Sequence, residues 1–407
     1  MNSIIKVLFI GGVFDEKSEL EVLENTKGYA ELSANIFQKK LLKGFEGKAD
    51  VKVLSAPLTG AFPMGYKKMR FKGFKASQSE YTYVKFNNIW GIRNFSRAKS
   101  LKNKIKSYKK LGKSFDLIII YSAHTPFLQA GAYAKKLFSK AKICYVVPDL
   151  PQYMNLNEHR SKLYDLFKKY DIKKMDKLST VVDSFVVLTE PMKSVLKVGE
   201  RPCAVIEGIV ESVENNDFPS KKEQSIKNIV YTGKMNFKFG IKELVDAFMQ
   251  IENDDYRLVL CGDGDAREYV LEKSMIDKRI EYKGQVSHAK AKEWISRADV
   301  LVNPRPNNEE YTKYSFPSKN IEYLSSGNPV VAYLLDGMLR EYGEFIFTIE
   351  NGDFSSAIKS ALDCEDYAQR YERFVNYASQ KLTSDKVADA ILKMNFSKVE
   401  SRHEIGI

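Results

Sequence analysis

Short apolar runs alternate with segments of helical spacing along most of this chain. The runs lie at 6–10, 51–55, 115–121, 143–147 and 184–188 in the first half, and at 229–231, 257–261, 280–283, 300–303 and 329–333 in the second. Parallel strands need crossover connections, usually helices, that cover the faces of the sheet. The alternation therefore predicts an α/β fold with doubly wound parallel sheets.

The length and one polar segment predict two domains. A chain of 407 residues exceeds the size at which a single hydrophobic core usually stops growing. Residues 208–226 are rich in Glu, Asn, Ser and Lys, a composition that predicts a linker. We expect Rossmann-like domains over 1–207 and 227–383. The helical tail over 384–407 either packs on the second domain or crosses back to the first.

The bulk composition is that of a soluble globular protein, with 44% hydrophobic and 29% charged residues. No stretch of about 18 apolar residues predicts a membrane-spanning helix. The first apolar run lacks a basic leader and a cleavage site of small residues, so we interpret it as a buried strand. The scattered cysteines indicate reduced core residues of a cytoplasmic protein; they are Cys144, Cys203, Cys261 and Cys364.

The net charge of +12 predicts an anionic partner: nucleic acid, a membrane surface or a phosphorylated substrate. Residues 93–113 carry Lys and Arg without any acidic residue, and residues 67–75 form a second basic stretch. A solvated helix face is the usual explanation of such a run. Aromatic residues nearby favour docking on anionic lipid headgroups; they are Phe62, Phe71, Phe74, Trp90 and Phe95.

Two glycine-rich loops follow strands of the second half. The loop over 232–240 contains Gly233, Lys234 and Lys238 directly before a helix, where backbone amides and ammonium groups suit a diphosphate. The next strand ends at Gly262 in a Gly-Asp-Gly turn. Neither loop has the spacing of the dinucleotide fingerprint, which disfavours a nicotinamide or flavin enzyme.

A third segment, over 302–332, combines charged residues with a short helix. We expect this helix to begin near Ser318, with Ser315 near its cap, and to end before Gly327. Glu322 lies one turn into the helix, where it can accept hydrogen bonds from a ribose. Lys319 and Arg305 supply positive charge for a phosphate. Ser318 and Gly262 are further candidates for binding the donor. A surface carboxylate is the alternative interpretation of Glu322.

These loops, in this order, resemble those of the retaining GT-B glycosyltransferases of group 1, which include bacterial capsule and exopolysaccharide enzymes. The resemblance covers 229–333 well and the N-terminal half in outline. It implies two Rossmann-like domains that face each other across a cleft. It also implies transfer of a hexose from a nucleotide sugar to an acceptor hydroxyl with retention, without a metal or cofactor.

The resemblance also implies roles for individual residues of the second half. Gly233 lets its loop approach the phosphates, Lys234 and Lys238 neutralise the donor diphosphate, and Glu322 holds the nucleotide ribose. The family often has a second glutamate eight positions before the ribose-binding one, and this chain has Tyr314 there.

In the N-terminal half, the resemblance points to residues at three strand-to-helix connections. Gly28 is the candidate for admitting the donor phosphate. His124, after the strand over 115–121, is the candidate for contacting the transferred sugar. Asp149, after the strand over 143–147, is the candidate for an acceptor-side carboxylate.

Three other interpretations stay open at this point. A sugar-nucleotide epimerase of the same double fold needs no acceptor. A basic nucleic-acid binder fits the charge but shows no recognition motif. An inactive GT-B subunit of a biosynthetic complex would explain why Tyr314 replaces the second glutamate. We expect a saccharide or lipid-linked saccharide acceptor, no nucleic acid, and a cytoplasmic protein that is peripheral on the inner face of the plasma membrane.

Overall fold

The computed structural model describes residues 4–27, 32–74, 79–153, 162–210 and 225–397. The chain divides into two compact units. The N-terminal unit consists of Met1–Ile209 together with Ser384–Ile407, and the C-terminal unit consists of Val210–Thr383.

Within its described part, the N-terminal unit is built on a seven-stranded parallel sheet of order β4-β2-β1-β6-β7-β8-β9. Its strands are β1 (Ile5–Gly11), β2 (Ala49–Ser55), β4 (Tyr81–Tyr83), β6 (Leu117–Tyr121), β7 (Lys142–Val147), β8 (Ser184–Val187) and β9 (Cys203–Val205). A separate antiparallel pair is formed by β3 (Arg70–Phe71) and β5 (Phe86–Asn87).

The helices of this unit include the last helix of the chain. They are α1 (Glu16–Asn25), α2 (Leu32–Lys43), α3 (Arg93–Lys110), α4 (Thr125–Leu137), α5 (Lys162–Ser179), α6 (Met192–Val195) and α13 (Ser384–Phe396). Helix α13 packs on α2 and on the strands β7 to β9. Val387, Ala388 and Ile391 of α13 belong to the hydrophobic core of the N-terminal unit.

The C-terminal unit has a six-stranded parallel sheet of order β12-β11-β10-β13-β14-β15 in its described part. The strands are β10 (Lys227–Thr232), β11 (Tyr256–Cys261), β12 (Ile280–Gly284), β13 (Val300–Asn303), β14 (Val330–Ala332) and β15 (Phe347–Thr348). The helices are α7 (Ile241–Met249), α8 (Arg267–Ile276), α9 (His288–Arg297), α10 (Ser318–Leu324), α11 (Phe354–Leu362) and α12 (Tyr367–Lys381). None of the described helices of either unit is both long and apolar enough to span a membrane.

Each sheet reverses its strand order at one point. Strand β1 lies between β2 and β6, and β10 lies between β11 and β13. At such a point the connections leave in opposite directions and open a crevice at the carboxyl ends of the strands, where ligands of open α/β sheets bind. We therefore expect ligand-binding sites at the loops after β1 and β6, and at those after β10 and β13.

The parallel sheets predicted from the sequence are present, whereas several local details differ. Two helices, α1 and α2, lie between β1 and β2. Helix α1 is polar, but it is capped by Asp15, whose carboxylate accepts a hydrogen bond from the Ser18 amide. The paired strands β3 and β5 have two residues each, which is too short for an alternating pattern.

The basic run over 93–113 forms α3, and its interpretation as a solvated helix face needs a correction. Arg97 is only 1% exposed, and it lies on the same face as the buried Leu101, Ile105 and Tyr108. The other basic residues of the helix follow the solvated pattern more closely. Among the neighbouring aromatics, Phe71 is also buried, because it packs between the rings of Phe74 and Phe86.

We predict that Ile391→Ala destabilises the protein by about 2–5 kcal/mol, because it leaves a cavity between α13 and the N-terminal sheet. Lys393→Ala, on the exposed side of the same helix, is the matched control and changes stability little. Urea unfolding of both variants measures the difference. Equal midpoints would show that α13 does not contribute to this core.

Candidate functional site

Two loops at the carboxyl edge of the C-terminal sheet hold each other through backbone hydrogen bonds. The loop after β10 spans 233–240, and the loop after β11 spans 262–266. The Gly233 amide donates to the Cys261 carbonyl over 2.9 Å, and the Met235 amide donates to the Asp263 carbonyl over 3.0 Å. The Asp265 carboxylate accepts from the Phe237 amide over 2.8 Å. The two loops therefore form one fixed surface.

Glycine allows the close approach between these loops. Gly262 has a φ of +145°, and a Cβ there would overlap the Gly233 carbonyl oxygen. Gly240 has a φ of +80°, and a Cβ there would overlap the Pro304 carbonyl oxygen. Both positions therefore disfavour any side chain on two grounds, conformation and space. Gly262 therefore shapes this turn, and its contact with a donor stays a prediction.

Lys319 and Glu322, on the first turns of α10, lie above the end of β10. The Lys319 ammonium is 2.9 Å from a Glu322 carboxylate oxygen and 3.2 Å from the Thr232 hydroxyl. The Lys319 side chain also lies close to Gly233, since its Cε would be 3.6 Å from a Cβ at that position. Lysine, glutamate and the glycine loop thus meet at the reversal point of the sheet.

Two tyrosines that the sequence analysis missed, Tyr323 and Tyr231, hold the backbone next to this cluster. The buried Tyr323 hydroxyl accepts from the Thr232 amide over 2.8 Å and donates to the Thr232 carbonyl over 3.1 Å. The Tyr231 hydroxyl donates to the Lys234 carbonyl over 2.8 Å. Burial raises the pKa of both phenols, so both remain neutral donors. Tyrosines in apolar segments look like ordinary core residues, so no sequence signal separates them.

Arg305 extends the positive charge of the cluster from the end of β13. Its guanidinium lies 5.0 Å from the Tyr311 ring centroid and 5.9 Å from that of Phe239, and one terminal nitrogen is 3.4 Å from the Ser315 hydroxyl. Its Nε is buried without a hydrogen-bond partner in the described structure. The Arg305 charge reaches Tyr231, where it opposes the effect of burial on the phenol pKa.

The remaining predicted donor residues stand at the rim of this cluster. Lys234, Lys238 and Ser318 are exposed, and the Lys238 ammonium lies 5.3 Å from the Phe239 ring centroid. As expected, Ser315 lies near the cap of α10, two residues before it. Pro317 occupies the N-cap position, and Ser315 ends the 3-10 turn over Glu310–Tyr314.

The carboxylates of the Gly-Asp-Gly-Asp turn are engaged by the backbone. Asp263 accepts from the Gly264 amide over 2.9 Å, and Asp265 accepts from the Phe237 amide. Across the described ranges, no three His, Cys, Asp or Glu side chains come together in a group able to hold a metal ion. The turn thus serves loop geometry in this structure.

His124 lies at the carboxyl end of β6, at the reversal point of the N-terminal sheet. It is the N-cap residue of α4, and it follows Ser122, which has a strained φ of +73°. The ring is partly exposed, contacts the Phe127 ring at 5.0 Å and lies 3.3 Å from the Arg97 guanidinium through its Nε2. Arg97 was not singled out from the sequence. The sequence feature that could have indicated its burial is its position one turn before Leu101, on the apolar stripe of α3.

Asp149 and Gly28 are the other predicted residues of the N-terminal unit. Asp149 follows β7, which neighbours β6 in the sheet, and it is exposed. Asp149 and His124 therefore share the carboxyl edge of the sheet. Gly28 lies outside the described residues.

Comparison with known proteins gives a family match within the C-terminal unit. Residues 226–364 match the family model described as Glycosyl transferases group 1. This chain carries a group 1 glycosyltransferase domain. The matched segment contains the predicted residues from Gly233 to Glu322. The predicted enzyme class is thus confirmed: the chain is a glycosyltransferase. No curated protein sequence matches the chain significantly.

Solved structures show that the GT-B fold extends over nearly the whole glycosyltransferase chain. The lipopolysaccharide outer core galactosyltransferase WaaB is 15% identical, with a TM-score of 0.62, and the match covers 97% of this chain and 100% of WaaB. HepE of Anabaena in complex with UDP is 14% identical, with a TM-score of 0.60 and coverages of 96% and 99%. Sucrose-phosphate synthase from Thermosynechococcus elongatus is 13% identical, with a TM-score of 0.62 and coverages of 96% and 98%. The predicted fold class is confirmed.

We predict that Gly262→Ala disrupts the paired loops, because its Cβ overlaps the Gly233 carbonyl. Gly284→Ala is the matched control: its φ is also positive, at +66°, but nothing lies within 4 Å of its Cβ. We expect the Gly262 variant to lose at least about 1 kcal/mol more stability than the control. Thermal unfolding measures the difference, and equal losses would contradict the steric argument.

Proposed function

We propose that this glycosyltransferase transfers a sugar from a nucleoside-diphosphate sugar to a saccharide or lipid-linked saccharide, with retention, in bacterial surface polysaccharide synthesis. The observation that carries the donor assignment is the cluster of Lys319, Glu322 and Arg305 around Gly233. It combines two cations, one carboxylate and a loop that begins with a glycine, at the reversal point of a parallel sheet. HepE, which is bound to UDP in its solved structure, has the same fold and supports a nucleotide donor.

The geometry gives each residue a chemical task in this proposal. Lys319 and Arg305 neutralise the diphosphate as it leaves, which lowers the barrier electrostatically. Glu322 has a second carboxylate oxygen that can accept from the ribose hydroxyls while Lys319 turns towards phosphate. Lys234 and Lys238 lie at the exposed rim and screen the incoming negative charge. No step of this scheme requires a metal or a further cofactor.

In the N-terminal unit, we propose that His124 contacts the transferred sugar and that Asp149 serves the acceptor. Both follow adjacent strands at the carboxyl edge of their sheet. Retention and a polysaccharide acceptor follow from the family resemblance. WaaB, a lipopolysaccharide outer core galactosyltransferase of the same fold, supports an acceptor of this kind.

We predict that UDP, or another nucleoside diphosphate, raises the thermal stability of the full chain, because a ligand that binds only the folded state stabilises it. Lys319→Met and Arg305→Met should each weaken binding about 10-fold or more, since each removes a charged hydrogen-bond donor. Isothermal titration with UDP, GDP and ADP measures the affinity of each variant.

Lys292→Met is the charge-matched control for this experiment. Lys292 is an exposed lysine of α9 outside the cluster, so its variant should bind like the wild type. Absence of binding by any nucleotide would overturn the donor site. Binding without release of nucleoside diphosphate from a donor sugar would instead favour the inactive-subunit interpretation, which Tyr314 keeps open.

We also propose that this enzyme docks on an anionic membrane through the N-terminal unit. Met64, Trp90 and Phe95 are 88%, 66% and 74% exposed. Their segments adjoin each other, because the Phe62 amide donates to the Asn88 carbonyl over 2.8 Å. Helix α3 begins at Arg93, beside these side chains, and carries the basic run. Exposed apolar side chains next to lysines suit anionic headgroups.

We predict that the double variant Met64→Ser/Phe95→Ser loses binding to vesicles that contain phosphatidylglycerol. Met275→Ser/Ile276→Ser is the matched control, since both residues are more than 60% exposed in the C-terminal unit. Vesicle sedimentation at low and high salt measures binding. Equal losses in both variants, or wild-type binding to neutral vesicles, would contradict docking through this surface.

A further inference from the structure

Arg97 is a buried cation that has no acidic partner in the described structure. It is 1% exposed. One terminal nitrogen donates to the Pro57 carbonyl over 2.8 Å, and the same nitrogen is 3.4 Å from the Thr59 hydroxyl. The guanidinium also lies 4.5 Å from the centroid of the Phe86 ring. These contacts with the Pro57 carbonyl, the Thr59 hydroxyl and the Phe86 ring fix the guanidinium. They therefore also fix the direction of its other terminal nitrogen.

That other nitrogen points at His124, at 3.3 Å from the Nε2 of the ring. A guanidinium has donors only and cannot accept a hydrogen bond. The His124 Nε2 must therefore be the acceptor, which means that it carries no proton. In a neutral imidazole the proton then belongs to Nδ1.

The charges around the ring oppose its protonation. Arg97 and Arg93 of α3 are the charged groups that act on it, and the N-terminal end of α4 adds a partial positive charge. On the α5 side, Asp171 accepts from the Thr125 hydroxyl over 2.7 Å. Burial, followed by Arg97 and Arg93, lowers the pKa of His124 well below its usual value, whereas burial lowers the pKa of Arg97 to about 9 and leaves it charged at neutral pH.

We propose that Arg97 is a positioning residue that holds His124 as a neutral ring with its proton on Nδ1, which makes His124 a hydrogen-bond donor to a substrate hydroxyl and excludes it as a general base. The substrate contact rests on the proposed glycosyltransferase function. A neutral donor can hold a sugar hydroxyl in place without taking up or losing a proton during the reaction.

A strained turn before His124 fixes the backbone that carries the ring. Ser122 has a φ of +73°, and the Ser122 carbonyl accepts from the His124 amide over 2.7 Å. Such a conformation is strained in a residue other than glycine. The turn fixes the start of α4 and thereby the ring that Arg97 approaches.

Nitrogen-15 NMR of selectively labelled histidine tests the tautomer in the ligand-free protein. The chain has four histidines, and His124→Asn identifies the signal of residue 124. We expect the pattern of a neutral ring protonated at Nδ1, unchanged between about pH 5 and pH 8. A ring protonated at Nε2, or one that titrates near pH 6.5, would overturn the proposal whatever the activity of the enzyme.

Two substitutions test which ring nitrogen the substrate uses. The amide of Asn occupies the place of Nδ1, whereas the amide of Gln reaches the place of Nε2. We expect His124→Asn to keep kcat within about 10-fold of the wild type and His124→Gln to lose about 100-fold, with little change in KM. The reverse order would overturn the proposal. If no donor sugar is turned over by the wild type, the proposed function fails while the NMR result still decides the tautomer.

Variants of Arg97 test its positioning role. Arg97→Lys keeps a donor and a charge, so it should retain the tautomer and most of kcat. Arg97→Met removes the donor and should allow the ring to titrate at a higher pH, with a matching change in the pH profile of kcat. Lys99→Met, on the exposed face of α3, is the control and should change neither. A His124 signal unaffected by Arg97→Met would overturn the role of Arg97. If Arg97→Met does not fold, Arg97→Lys still tests the role: a His124 ring protonated at Nε2 in this variant would overturn it.

Discussion

The proposed sites of this glycosyltransferase depend on the reversal of strand order in its two parallel sheets. Parallel strands end at a common edge, and at the reversal the loops diverge and leave room for a ligand. In the C-terminal unit this point lies between β10 and β13, and it brings together Gly233, Lys319 and Arg305. In the N-terminal unit it lies between β1 and β6, beside His124. Everything else in each unit holds these edges in place.

Polar groups buried near these edges give the sites their precision. Tyr323 satisfies both the amide and the carbonyl of Thr232, so the end of β10 is fixed before any ligand arrives. Arg97 is held by Pro57, Thr59 and Phe86 and then fixes one nitrogen of His124. Buried hydrogen bonds of this kind are costly to leave unpaired, which makes them effective constraints on geometry.

The two cationic centres carry their charge in different ways. Lys319 is half-exposed and shares its ammonium between Glu322 and Thr232, so it can turn towards an incoming phosphate. Arg97 is enclosed and cannot reach a ligand. Its charge acts through His124, which it holds neutral. A mobile cation suits charge neutralisation, whereas a fixed one suits the selection of a tautomer.

The sequence by itself determined the parallel sheets and the enzyme class, and it predicted the donor segment from Gly233 to Glu322. Strand periodicity and the glycine, lysine and glutamate positions are local along the chain, so they can be read without coordinates. Only the tertiary structure decided that α13 packs with the N-terminal sheet, that Phe71 is buried and that Arg97 faces His124. These contacts join segments far apart in the chain, and an arginine in a basic run looks solvated until its surroundings are known.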